Sequence, residues 1–309
     1  MALVVHVGGT RAQWWKDTMQ ALIPDLECRL WDEPGDDREV EYAAVWKPPP
    51  GGLNRFANLK CIVSIGAGID HLLVDPELPR HIPIIRTVGS ELRQRMREYV
   101  VLHVLRLHRA LPEIVAAQAK RAWHQVIVPP APLRKVGIMG QGYMGADCAG
   151  ALAAIGFDVA GWSRTPKTID GITGFHGAQG LKPFLARSEI LVCQLPLTPE
   201  TEGILNAELF QALPKGAFVI NVGRGPHLVE ADLLAALESG QLGGATLDVF
   251  HQEPLPDDHP FWDHPAVLIT PHLASLIDPL AGGRLVAQNL ALFRAGKPVP
   301  DLVDLEQGY

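Results

Sequence analysis

The sequence predicts an α/β protein built on parallel sheets, and three observations predict it. Short apolar runs alternate with stretches of helical spacing from one end of the chain to the other, as parallel strands and their crossover helices do. One such run, Lys135–Met139, leads directly into Gly140-Gln-Gly142-Tyr-Met-Gly145 and then into a helical pattern. Finally, 309 residues that are 47 % hydrophobic and 20 % charged suffice for two packed domains of ordinary size.

In the first part, residues 3–7, 43–46, 61–65 and 82–86 read as strands, and Trp14, Met19 and Leu22 supply helical spacing after the first. Lys47-Pro48-Pro49-Pro50-Gly51-Gly52 reads as a loop, because prolines remove backbone donors. The longest helical pattern runs from 90 to about 119, with Tyr99, Leu102, Val104, Leu105 and Leu107 at its centre. Its length suggests one helix passing between domains. Strands are then expected at 135–139, 157–162, 190–194, 218–221, 245–249 and 267–270, with helices at 144–155, 183–187, 207–212 and 230–239. That is the parts list of a dinucleotide-binding fold. A last helix at 279–294 returns to the first domain. The expected division is 1–98 with 277–309 as a substrate domain and 99–276 as the cofactor domain.

The net charge of −7 argues against nucleic acid as a partner, since phosphate binding needs a concentrated basic face. Arg93-Gln94-Arg95-Met96-Arg97 is flanked by Glu91 and Glu98 and reads as a solvated helix face. The opening residues lack a basic start and read as a buried strand, not an export signal. No apolar run approaches the roughly 18 residues of a membrane span. Cys28, Cys61, Cys148 and Cys193 are scattered through apolar stretches, so reduced core thiols in a cytoplasmic protein are expected. There is no HExxH and no carboxylate cluster; His259 and His264 read as surface residues, so no metal site is expected.

The glycine-rich turn has a physical role for each glycine. Gly140 permits the tight turn, Gly142 lets the backbone approach a pyrophosphate, and Gly145 lets helix and strand pack closely. The amides of Tyr143 and Met144 then face the phosphates from a helix N-terminus. About 20 residues past the first glycine, an NAD enzyme usually carries an acid for the ribose 2′-hydroxyl. Here Ser163-Arg164-Thr165 stands there, with Lys167 close behind. Ser163 and Arg164 suit a 2′-phosphate, so NADP is the expected cofactor, with NAD left open as a second.

Downstream, Arg224, Glu253 and His272 each follow an expected strand's C-terminal end, where open α/β sheets place ligands. Reducing a 2-keto acid needs a cation for the carboxylate, an acid for the ketone oxygen, and a group that keeps that acid charged. Arginine, histidine and glutamate meet these needs in turn.

Gly140-Gln-Gly-Tyr-Met-Gly145, Asn221-Val-Gly-Arg-Gly225, Leu247-Asp-Val-Phe-His-Gln-Glu-Pro-Leu255 and Thr270-Pro-His-Leu-Ala274 together resemble the D-isomer-specific 2-hydroxyacid dehydrogenases over nearly the whole chain. Val45-Trp-Lys-Pro-Pro49, Ser64-Ile-Gly-Ala-Gly-Ile-Asp-His71, Gly161-Trp-Ser-Arg164 and the terminal Gly308-Tyr309 resemble the bacterial glyoxylate/hydroxypyruvate reductase A branch. The resemblance implies two doubly wound domains, a Rossmann-type cofactor domain and a flavodoxin-like substrate domain, with a cleft that closes on substrate. It implies that Arg224 holds the carboxylate and polarises the keto group, that His272 is the acid/base and that Glu253 is its partner. By the same resemblance Ala67 and Gly68 offer amides to the carboxylate and Trp46 walls the pocket. Asp248 lies near the nicotinamide, Leu195-Pro196 lines the adenine side, and Val222, Gly223, His272 and Ala274 face the cofactor. A homodimer through the long helix is also implied. Gly223 departs from the commoner alanine before the arginine, a change expected to cost little.

The implied function is NADPH-dependent reduction of a small 2-keto acid such as glyoxylate or hydroxypyruvate. Two alternatives stand beside it. One is an NAD(P)H-sensing regulatory protein on the same fold, which would need no proton donor. The other is a relative acting on bulkier acids such as phenylpyruvate, or on formate.

Overall fold

The computed structural model describes residues 1–8 and 11–305, so the likeness at Gly308-Tyr309 lies outside the described residues. The chain forms two compact units, Met1–Leu92 with Ile277–Tyr309, and Arg93–Leu276. Among the described residues no helix is long and apolar enough to cross a membrane.

The first unit contains β1 (Ala2–His6), α1 (Arg11–Leu22), β2 (Glu27–Leu30), β3 (Val40–Val45), β4 (Cys61–Ser64), α2 (Asp70–Leu73) and β5 (Ile84–Arg86). Its sheet is parallel throughout, in the order β2-β1-β3-β4-β5. Ala2–Val5, Ala43–Val45 and Cys61–Val63 are fully buried, as expected of strands covered on both faces. β2 was not anticipated from sequence: it is an edge strand whose Glu27 and Arg29 interrupt the apolar signal. In α1 the buried tryptophan is Trp15, whereas Trp14 is exposed.

Two helices, α3 (Ser90–His108), which belongs to the second unit from Arg93 onward, and α4 (Leu111–Ala119), replace the single helix expected over 90–119. Ala110 takes the left-handed conformation at φ 53°. Pro112 lies in the first turn of α4, where its missing N–H costs nothing, and it could not have continued α3 without losing a hydrogen bond. There follow β6 (Lys135–Met139), α5 (Tyr143–Ile155), β7 (Asp158–Ser163), β8 (Thr173–His176), α6 (Gly177–Arg187), β9 (Ile190–Cys193), α7 (Ala207–Ala212), β10 (Ala217–Asn221), α8 (Glu230–Glu238), β11 (Leu242–Leu247) and β12 (Val267–Ile269). The seven strands run parallel in the order β12-β11-β10-β9-β6-β7-β8. β8 is again an unanticipated edge strand. α6 begins six residues before the expected start, with Pro183 inside it; Phe184 and Leu185 are buried on its inner face and Leu181 packs beside them. Finally α9 (Pro279–Arg294) lays Gly282 against the ring of Trp15 on α1, an approach that a side chain there would block.

The basic cluster on α3 is not simply solvated. Arg93 and Arg97 both reach Asp147 on α5, at 3.7 Å and 3.3 Å, and the Arg93 guanidinium lies 4.6 Å from the centre of the Tyr143 ring. On the buried face of α3, His103 packs against Tyr99 with ring centroids 4.2 Å apart, and its Nδ1 has no hydrogen-bond partner among the described residues. Burial, reinforced by the Arg106 charge, pushes the His103 imidazole down to about 4. Burial lowers His6 and His108 as well. The unfolded chain therefore binds more protons than the folded one from about pH 6.5 down to about 4, so stability rises with pH across that window. At pH 4 the His103 contribution alone costs about 3 kcal/mol. A His103→Gln variant should show a shallower slope of Tm against pH over that window, and an unchanged slope would place the acid sensitivity elsewhere.

Candidate active site

The first βα turn of the larger sheet is shaped for a diphosphate. β6 ends at Met139, and Gly140 turns at φ 100° with its N–H donating to the Trp162 carbonyl (2.8 Å). A Cβ on Gly140 would meet the Gln194 carbonyl at 2.7 Å, and one on Gly145 would collide with the Gly140 carbonyl. Around Gly142, by contrast, no atom lies within 4 Å of where a Cβ would stand. That open space lies at the N-cap of α5, where no side chain caps the helix and no acid occupies the first turn. Tyr143 and Met144 open the helix, so their amides face a site that favours an anion. The residues present therefore fit a dinucleotide diphosphate.

At the end of β7 the structure divides the expected 2′-phosphate residues. Arg164 and Lys167 are exposed, but Ser163 is buried and its hydroxyl donates to the Thr165 carbonyl (2.8 Å). The Gln141 amide oxygen lies 3.3 Å from that hydroxyl. The Ser163 hydroxyl is thus engaged within the protein, whereas the cationic side chains of Arg164 and Lys167 reach the surface. Leu195, Val222, Gly223 and Ala274 are buried, and Pro196 is exposed.

Three adjacent parallel strands deliver the catalytic candidates. Asn221 on β10 pairs with Leu247 on β11, which pairs with Ile269 on β12, so Arg224, Glu253 and His272 all emerge from one end of the sheet. Main-chain bonds hold the Arg224 loop. Its N–H donates to His227 Nδ1 (2.9 Å), the Asn221 side-chain amide donates to its carbonyl (3.1 Å), and Asn221 Oδ1 accepts from Gly223 N–H (3.2 Å). Because His227 Nδ1 accepts, its proton is on Nε2, which donates to the Pro196 carbonyl (3.2 Å). Gly225 lies against the Phe250 backbone so closely that no other residue fits. At Gly223 a Cβ would stand 2.8 Å from His227 Nδ1 and 3.1 Å from the Leu195 carbonyl. The glycine is matched to the buried His227.

His272 Nδ1 lies 2.9 Å from Glu253 Oε2, and Glu253 Oε1 accepts from the Phe250 N–H (3.2 Å). The carboxylate is thereby oriented by backbone on one side and orients the imidazole on the other. Asp248, 1 % exposed, does not point outward. Its Oδ1 accepts from the Thr270 hydroxyl (2.6 Å) and the Leu273 N–H (2.9 Å), and its Oδ2 accepts from the Ala274 N–H (2.9 Å). Burial pushes its carboxyl pKa up, against the pull of these donors and of His272.

In the first unit, the Trp46 ring lies across the turn after β4, where a Cβ on Gly66 would meet it at 2.7 Å. His71 holds this turn: its Nδ1 accepts from Lys47 N–H (3.1 Å), its Nε2 is 2.9 Å from the Ser64 hydroxyl, and that hydroxyl donates to the Gly68 carbonyl (3.1 Å). Ala67 and Gly68 are half-buried, and no acceptor among the described residues takes their amides. The sequence assigns no role to His227, Thr270, Tyr99 or Gln141: Thr270 and Gln141 stand inside motifs whose neighbours carry the signal, Tyr99 reads as a helix-core residue, and nothing local marks His227. His259 and His264 are half-buried and not purely surface residues; His259 lies 3.2 Å from Glu230.

Comparison with known proteins places this geometry. The family model described as "D-isomer specific 2-hydroxyacid dehydrogenase, NAD binding domain" matches residues 101–274, which include the diphosphate turn and all three catalytic candidates. The glyoxylate/hydroxypyruvate reductase A of Serratia proteamaculans (strain 568) is 42 % identical over 303 residues, covering 96 % of each chain. A D-isomer specific 2-hydroxyacid dehydrogenase from Xanthobacter autotrophicus Py2, crystallised with NADPH and MES, is 45 % identical with a TM-score of 0.94, covering 100 % of this chain and 99 % of that one. The NADPH-dependent glyoxylate/hydroxypyruvate reductase of Sinorhizobium meliloti, solved with NADP and sulfate, is 39 % identical with a TM-score of 0.94, covering 100 % of both. With an anion cradle at Gly142 and a histidine–carboxylate pair at the end of the same sheet, the chain belongs to the D-isomer specific 2-hydroxyacid dehydrogenases.

Proposed function

We propose that this protein reduces glyoxylate or hydroxypyruvate to the corresponding 2-hydroxy acid with NADPH. The observation that carries the reading is the 2.9 Å pair of His272 Nδ1 and Glu253, held at the carboxyl end of a sheet whose first turn fits a dinucleotide. Relatives 39–42 % identical are named for that reaction, one of them solved with NADP, and a 45 % identical 2-hydroxyacid dehydrogenase was solved with NADPH. Bound NADPH supplies the hydride that reduces the keto carbon. Arg224 pairs with the substrate carboxylate and draws electron density from the carbonyl. His272, with Nδ1 engaged and the ring oriented by Glu253, gives a proton to the carbonyl oxygen from Nε2. Ala67 and Gly68 offer amide donors suited to a carboxylate. A protein that only sensed the cofactor would have no use for the His272–Glu253 pair.

The test is oxidation of reduced nicotinamide, followed by absorbance, with glyoxylate, hydroxypyruvate and phenylpyruvate, each with NADPH and NADH. Turnover of the two small acids with NADPH ahead of NADH supports the reading. Binding of NADPH without turnover of any acid removes it. Replacing Arg164 with Ala should weaken NADPH about 10- to 30-fold and NADH less than about two-fold, because only the first carries the 2′-phosphate. Equal effects on both take Arg164 out of that contact.

We also propose a homodimer. Leu102, Leu111, Val115, Trp123 and Ile127, on and after α3 and α4, are all exposed, with Trp123 at 94 % and Ile127 at 98 %. So much apolar surface suits a partner copy, which sedimentation would show as twice the chain mass. Four buried, unbridged cysteines suit the reducing cytoplasm we assign it to; burial pushes their thiols up to about 11 for Cys28 and about 12 for the others.

A further inference from the structure

We infer that Tyr99 and Thr270 are positioning residues for His272, acting through Asp248 on the peptide units that flank the histidine. The inference rests on the acid/base role proposed for His272 above.

His272 stands at φ 50°, a left-handed conformation that a residue with a Cβ adopts only when its surroundings impose it. Asp248 imposes it from one point. Its carboxylate accepts from Thr270 on one side of the histidine and from Leu273 and Ala274 on the other. Its main-chain carbonyl accepts from the His272 N–H itself (2.9 Å). Four of the five residues from Thr270 to Ala274 are therefore bonded to one buried aspartate. The short bond from the Glu253 carboxylate then fixes the ring on a backbone already fixed.

The aspartate needs support to do this. It is almost wholly buried, which disfavours its charge, and the two amides and the hydroxyl that it accepts from are what favour the carboxylate form. The strongest of these contacts by distance is the Thr270 hydroxyl at 2.6 Å. Thr270 spends its one proton there, so the Tyr99 hydroxyl, 2.6 Å from Thr270 Oγ1, is the donor in the next link. Burial pushes the Tyr99 phenol far above its ordinary range, so it remains a donor throughout the working pH range. The chain of donors runs in one direction: Tyr99 on α3, Thr270 just past β12, Asp248 just past β11. Each bond polarises the next, and the last one bears on the loop that carries the proton donor.

Loss of the Thr270 hydroxyl leaves Asp248 with a vacant lone pair and Tyr99 without its acceptor. The carboxylate then rotates or takes up a proton, and one of the two amides beyond His272 loses its acceptor. The histidine relaxes from the left-handed well and the imidazole leaves the line required for proton transfer. The diphosphate turn and the 2′-phosphate residues belong to other strands and keep their bonds.

The test compares Thr270→Val, Thr270→Ser and Tyr99→Phe with the wild type in three measurements: kcat with glyoxylate, NADPH dissociation by nucleotide fluorescence, and hydrogen exchange at the Leu273 and Ala274 amides. For T270V, kcat should fall about 30-fold or more while the NADPH dissociation constant stays within about two-fold, since misplacement of a reacting group by about an ångström costs on the order of a hundredfold. Both amides should exchange about ten times faster or more. T270S, which restores the hydroxyl, should return both quantities to within about three-fold of the wild type, and Y99F should fall about five-fold in kcat with the same direction of exchange. Wild-type exchange and kcat in T270V overturn the inference, as does a serine variant that rescues neither. A loss of kcat matched by an equal loss of NADPH affinity also overturns it, because Thr270 would then serve the cofactor. If T270V does not fold, Y99F decides alone: unchanged kcat and exchange there overturn the inference. A wild type inactive with every keto acid defeats the proposed reaction instead, and hydrogen exchange still reads the clamp in that case.

Discussion

Replacing His272 with Ala should lower kcat with glyoxylate by about a thousandfold, with NADPH binding within about two-fold of the wild type. A thousandfold is about 4 kcal/mol of transition-state stabilisation. This is the effect expected when the proton donor is lost but the hydride donor, the carboxylate contact and the cofactor cradle remain. The residue's conformation complicates the variant, because alanine at φ 50° is strained while asparagine tolerates it. Asn at 272 therefore separates chemistry from backbone. It should be as inactive as the alanine variant, and its melting temperature should lie closer to that of the wild type. Retained turnover in either variant would move the proton donor to another residue.

Replacing Arg224 with Ala should lower kcat/KM for glyoxylate by about a thousandfold, divided between a raised KM and a lowered kcat. The division follows from two duties, holding a carboxylate in the ground state and stabilising charge on the carbonyl oxygen in the transition state. The loop that presents Arg224 is held by Asn221, His227 and the close packing of Gly225, and the guanidinium adds a bond of its own to the Gly223 carbonyl (2.7 Å). Truncation removes the cation and that bond and leaves the other supports of its platform. Lys at 224 should recover less than about a tenth of the lost activity, because a single ammonium cannot make the paired, planar contact of a guanidinium with a carboxylate. A KM and kcat both within about three-fold of the wild type in the alanine variant would take Arg224 out of the substrate site.

The strongest signals in the sequence are local. Gly140, Gly142 and Gly145 announce a diphosphate turn because each meets a steric demand from residues a few positions away or from the strand beside it. The central strands are apolar on both faces and read as continuous runs. Where the reading failed, the deciding term was non-local. β2 and β8 lie at sheet edges, where one side faces solvent and charged or polar residues dilute the pattern. The break at Ala110 is small in sequence, though Pro112 marks it once a helix end is sought there.

What the sequence by itself determined is the order of chemistry along the chain: an anion-binding turn, a basic pair in place of an acid, and Arg224, Glu253 and His272 each following a strand. Strand succession in a parallel sheet carries all three to the same edge, so their convergence is implied by the alternation of strands and helices alone. What only the tertiary structure decided is how those groups are held. Tyr99 and Thr270 meet across 171 residues of chain, and the buried Asp248 grips the His272 loop through the Leu273 and Ala274 amides. His227 fills the space that Gly223 leaves open. Hydrogen bonds are short-ranged and directional, so which donor meets which acceptor depends on how the folded strands and helices bring distant residues together.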